Sequence, residues 1–175
     1  MFFVLGALAM GASSAAIPAD DVLGNIKAGR MLCSYPDVET KTCTTIDNYA
    51  LTAEGTLTNT GETIISDSPP MTLAVTSVVQ IENGAMCGLA TKADLLNAKV
   101  RLNGTLLPPD RNAAMVAKLA GKYASMMGKK VCQTLKLIDG QLVQSAKIER
   151  AAVAMPRVPM QWISPGDGYK VAHVQ

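Results

Sequence analysis

Met71-Thr72-Leu73-Ala74-Val75-Thr76-Ser77-Val78-Val79-Gln80-Ile81-Glu82, followed at once by Asn83-Gly84 and then by Ala85 to Leu89, is the stretch on which the fold turns. Met71, Leu73, Val75, Val79 and Ile81 recur at every second position with mostly polar residues opposite, the period of a strand that buries one face. Asn-Gly tolerates positive φ at both central positions of a tight turn, so the chain is expected to double back beside itself as a hairpin, with Cys87 in the returning strand.

The pattern returns at Lys130 to Ile138, Asp139-Gly140 and Gln141 to Ile148, where Val131, Leu135 and Leu137 share a face and Cys132 joins the hairpin. Weaker extended segments are Arg30 to Ser34, Thr44 to Leu51, Glu62 to Ser66, Lys99 to Leu102 and Met160 to Ile163. One long helix is predicted from Pro108-Pro109-Asp110, a start with Asp110 as cap, to Gly128. Met115, Val116, Leu119, Ala120, Tyr123, Ala124 and Met127 recur along it at helical spacing. Thr91 caps a short turn reaching Leu96. Hairpins rather than β-α-β crossovers point to an α+β fold, a curved antiparallel sheet with the long helix packed on one face.

A chain of 175 residues is one domain by size, and near that length a domain buries roughly two-thirds of its unfolded surface. Hydrophobic residues make up 49% and charged residues 17%, which excludes a disordered chain. The 16 basic and 14 acidic side chains nearly cancel and form no long run of one sign, so nucleic acid is not an expected partner. At 4% aromatic residues there are few platforms on which bases or sugars could stack.

Residues 1–16 read as a signal peptide and 17–175 as the single mature domain. No charge falls between Phe2 and Ala19, and bulky Phe2, Phe3, Val4 and Leu5 give way to small residues ending in Ser14-Ala15-Ala16. The run is short and rich in Gly, Ala and Ser for a membrane span, so the mature chain is expected to have no integral span and to be periplasmic or secreted.

All four cysteines, Cys33, Cys43, Cys87 and Cys132, follow that segment, and an even count in an exported chain reads as disulfides. Three pairings are open. Cys33 and Cys43 enclose a short loop containing Pro36 and are the natural local pair, which leaves Cys87 with Cys132. No closely spaced pair of the zinc-binding kind occurs, and no metal or cofactor is expected.

No catalytic set stands out. His173 is the only histidine and is the third-last residue, where a terminus rarely holds an imidazole rigidly, so it reads as solvated tail. Asp47, Glu54, Glu62 and Asp67 fall in the most polar part of the chain; they read as a solvated sheet face or loops, with a carboxylate pair as the functional alternative. Lys118, Lys122, Lys129 and Lys130 gather toward the end of the long helix, where cations complement the macrodipole without any anion present. Trp162 to Tyr169 reads as a turn closed by the two aromatics packing together, with Asp167 at its tip. Asn103-Gly104-Thr105 has the form of a glycosylation sequon and equally that of a turn.

Ten methionines, with Met115, Met126 and Met127 on or near the helix, suit ordinary core filling or an irregular apolar cavity. The reading of function is therefore an exported, non-catalytic module that binds a partner or serves the cell envelope. The alternatives are a hydrolase whose carboxylates assemble from distant residues and a carrier holding a small apolar ligand between helix and sheet.

Overall fold

The structure is a computed structural model, and it describes residues 14–151 and 155–172. His173 and residues 1–13 of the expected signal segment lie outside the described residues.

In chain order the elements are β1 (Ser14–Ala16), α1 (Ala19–Lys27), β2 (Met31–Ser34), β3 (Thr42–Cys43), β4 (Thr45–Leu51), β5 (Leu57–Asp67), β6 (Pro70–Glu82), β7 (Ala85–Leu89), α2 (Lys92–Leu96), β8 (Lys99–Leu102), β9 (Thr105–Leu106), α3 (Pro109–Tyr123), β10 (Lys130–Ile138), β11 (Gln141–Ile148), β12 (Val158–Ile163) and β13 (Lys170–Val171). The protein is mostly β. Strands β10, β11, β12, β2, β4, β5, β6 and β7 pair in that order, each antiparallel to the next, and β7 pairs back onto β10. The sheet is therefore curved until it closes, an eight-stranded barrel rather than an open layer under a helix. Closure satisfies the edges that an open sheet would expose.

Two hairpins frame the closure. Asn83 and Gly84 have φ of 49° and 77°, and Asp139 and Gly140 have 51° and 78°, so both dipeptides form the doubly positive turn that matches the twist of paired strands. Asn103-Gly104 repeats the device between β8 and β9. The seam joins one hairpin to the other: Cys87 on β7 is the direct cross-strand neighbour of Cys132 on β10, and the two form a disulfide. Cys33 and Cys43 form the second bridge, on the outer side of the wall under Ile163 and Tyr169.

One end of the barrel is filled by α1. Pro18 precedes this helix, Asp21 stands in its first turn where a negative charge favours the dipole, and Val22 and Ile26 lie one turn apart on the same face. They bury against Leu32, Tyr49, Leu57, Met86, Leu135 and Met160. Helix α1 is an addition to the elements expected from the sequence.

At the other end, the segment between β7 and β10 supplies α2 and α3. Thr91 caps α2, its hydroxyl accepting from the Asp94 N–H at 3.0 Å. Helix α3 buries Val116 and Leu119 against Leu73, Leu95, Ala98 and Val100. Asn112 fastens it to the sheet: its Oδ1 accepts from Val100 N–H at 2.7 Å and its Nδ2 donates to Ala98 O at 2.9 Å. The expected cap at Asp110 is displaced. Pro108 occupies the cap position with no side-chain hydrogen bond, and Asp110 sits inside the first turn. The helix also stops earlier than Gly128, passing at Tyr123 into a tighter turn over Ala124–Met126. Among the described residues no helix is long and apolar enough to cross a membrane.

Candidate functional site

The interior of the barrel follows from which residues point inward. Along β4, β5 and β6 the register sets Thr45 beside Thr63 and Leu73, Asp47 beside Gly61 and Val75, and Tyr49 beside Asn59 and Ser77. The next strand contributes Gly88, level with Val79 and Val131. Bulky side chains fill the end under α1, but this run of Thr, Gly and Ser toward the other end is too small to fill an eight-stranded barrel. A cavity of about 410 Å³ remains.

Its walls are largely apolar: Leu73, Val75, Val79, Met86 and Val131 from the barrel, and Leu95, Tyr123, Met126 and Met127 from the segment above. Helix α2 and the end of α3 thus form a lid over the opening. The volume lies within the roughly 300–1,000 Å³ of small-molecule sites.

Asp47 is the polar centre of this cavity. Its residue is 9% exposed. Its Oδ1 accepts from Asn59 Nδ2 at 3.1 Å, the one hydrogen bond of the carboxylate among the described residues. Burial holds the carboxyl above its usual range, and the Asn59 hydrogen bond opposes that shift in part. Tyr49, two residues along the same strand and buried, has its hydroxyl pushed well above the ordinary tyrosine range by burial and by the neighbouring Asp47 charge. Asn59 Oδ1 is buried with no hydrogen-bond partner among the described residues. Thr45 and Thr63, by contrast, are satisfied, Thr45 Oγ1 donating to Thr63 Oγ1 at 2.8 Å and Thr63 Oγ1 to Thr44 O at 3.3 Å.

Asp47 was among the acidic residues expected on a solvated face or in loops; its true position is inside the barrel, because its register neighbour Gly61 leaves room for it. The other three do not join it. Glu54 is exposed in the turn between β4 and β5, Asp67 is exposed at the end of β5, and Glu62 stands on the outer face, accepting from Thr72 Oγ1 at 2.5 Å and lying 3.8 Å from Arg101 Nε. The carboxylate that does share the cavity lining is Asp94 of α2.

The remaining candidates separate. Lys130 leaves the lysine group for an ion pair with Glu82, Nζ to Oε2 2.5 Å. Trp162 packs with the interior cluster and Tyr169 with the disulfide cluster outside the wall, so the two aromatics do not close a hairpin together. Asp167 is turned back on its own loop, its Oδ2 accepting from the Ser164 N–H at 2.7 Å in a capping box. Met126 and Met127 do line the cavity, whereas Met115 packs in the lid's own core. No group of three or more His, Cys, Asp or Glu side chains is placed to hold a metal among the described residues.

Fold and cavity together define a class, the closed antiparallel barrel with a lidded interior large enough for one small molecule. No protein-family model, curated protein or solved structure matches the chain.

Proposed function

We propose that the protein is an exported, non-catalytic carrier that encloses one small, largely apolar molecule in its barrel. The observation that carries this reading is the interior cavity of about 410 Å³. An engineered protein cavity of about 150 Å³ already takes benzene, so this one suits a molecule of two or three rings or a medium-length chain. Export is supported by the two intramolecular disulfides, which belong to an oxidising compartment, and by the uncharged N-terminal run ending in small residues.

The test is titration with the neutral fluorophore N-phenylnaphthylamine. The parent protein should bind one molecule per chain with a rise in emission, and Val75→Phe or Ser77→Phe, which fill the cavity from its wall, should abolish the rise while the variants still melt cooperatively. No binding by the parent, or binding that survives both substitutions, overturns the reading.

A further inference from the structure

We infer that the molecule held in the barrel carries a protonated amine, seated on the Asp47 carboxylate at the end of an apolar body that lies against Val75, Val79 and Met86. This rests on the reading of the barrel as a carrier and names the head group of its ligand.

Three observations converge. First, among the described residues the charged ones lining the cavity are Asp47 and Asp94, and no Lys, Arg or His lines it. Burying a carboxylate is costly unless it is paired. Among the described residues this carboxylate receives one neutral donor, Asn59 Nδ2, and no cation, so a cation held in the cavity is the partner that would keep it ionised. Second, the buried side-chain atom of the lining that is left without a partner among the described residues is an acceptor. Asn59 Oδ1, on the amide whose Nδ2 reaches the carboxylate, is buried with no donor among the described residues, and buried polar atoms without a partner are rare enough to call for one. An ammonium group offers three donors and no acceptor, whereas an alcohol offers one donor, and a carboxylate ligand would bring a second negative charge. Third, space has been kept for the carboxylate itself: a Cβ on Gly61 would lie 2.6 Å from Asp47 Oδ1.

Charge-assisted hydrogen bonds are roughly twice as strong as neutral ones, and a low-dielectric cavity strengthens them further. The head group therefore contributes selectivity, while the apolar wall contributes bulk affinity. The seat is also sensitive to pH. Protonating Asp47 removes the countercharge, so amine binding weakens on acidification. The other titratable groups near the seat are Tyr49 on the same strand and Asp94 and Tyr123 in the lining, and none of them is a cation that could replace the ligand.

Calorimetric titration of the full mature chain with octylamine, octanol and octanoate separates the head group from the chain, since the three probes share one hydrocarbon tail. At neutral pH octylamine should bind at least about tenfold more tightly than octanol, with octanoate weakest. Asp47→Asn should erase the preference for octylamine and leave octanol within about twofold of the parent. Independently of that variant, the Asp47 carboxyl carbon should shift toward its ionised position when octylamine is added to labelled protein at acid pH. Octanol or octanoate binding as tightly as octylamine, a preference that survives Asp47→Asn, or an unmoved carboxyl resonance overturns the amine while leaving the carrier reading standing. Failure of all three probes together with N-phenylnaphthylamine removes both.

Discussion

Gly61 and Asp47 are direct neighbours across β5 and β4, and the carboxylate occupies the space where a side chain on residue 61 would begin. Gly61→Ala must push the carboxylate away from Asn59 or spread the two strands. Overpacking of this kind costs about 1–3 kcal/mol. Urea denaturation should show that loss, and N-phenylnaphthylamine should bind more weakly to the variant than to the parent.

Asp47 makes the folded protein sensitive to pH in a defined direction. Because burial raises its carboxyl above the ordinary value of 3.8, the folded chain keeps the proton where the unfolded chain has released it. Its contribution to stability is fully present below that ordinary value and is lost as pH rises through the folded pKa. Asp47→Asn carries no such loss. The variant should melt above the parent at neutral pH, with the difference shrinking on acidification. Taking variant minus parent isolates Asp47, since Asp37 and Glu54, both held low mainly by backbone hydrogen bonds, titrate in each protein.

The two bridges should differ in worth. Cys87 and Cys132 are 45 residues apart in sequence and Cys33 and Cys43 are 10 apart. Restriction of the unfolded chain then gives about 4 kcal/mol for the first and about 2.7 kcal/mol for the second. Paired Cys→Ala substitutions compared by denaturant midpoint should reproduce that order. The double variant at Cys87 and Cys132 should be the less stable.

Asn112 should govern the lid. Asn112→Ala leaves the N–H of fully buried Val100 without its acceptor, an expected cost of about 1–3 kcal/mol. Hydrogen exchange should quicken along Pro109–Tyr123, while the β10–β11 hairpin keeps its protection.

Local chemistry made the hairpins legible. Asn83-Gly84 and Asp139-Gly140 specify a turn whatever surrounds them, and the alternation of Leu73, Val75, Val79 and Ile81 marks one buried face. Closure is a contact between two such hairpins, which no window on the sequence contains. The hint was the cysteines: assigning Cys87 to Cys132 already set β7 against β10. Helix α1 was not among the expected elements, because only Val22 and Ile26 in this short segment mark a buried face at helical spacing. Asp47 was missed as an interior group because one carboxylate in a polar strand looks like any other. A glycine within a strand marks a close approach, and Gly61 was the available signal.

The Cys87–Cys132 bridge brings the two ends of the intervening segment within 4.0 Å at their Cα atoms. Everything that roofs the cavity, including α2 and α3, is thereby a covalently closed ring set on the rim of a barrel whose strands meet beneath it. Such a ring can lengthen, shorten or change its lining without altering where the strands on either side must meet. The arrangement leaves Asp47, Val75 and Val79 on strands outside the ring, so the stretch between the two cysteines is a roof that could be exchanged for another while the proposed amine seat beneath it stays in place.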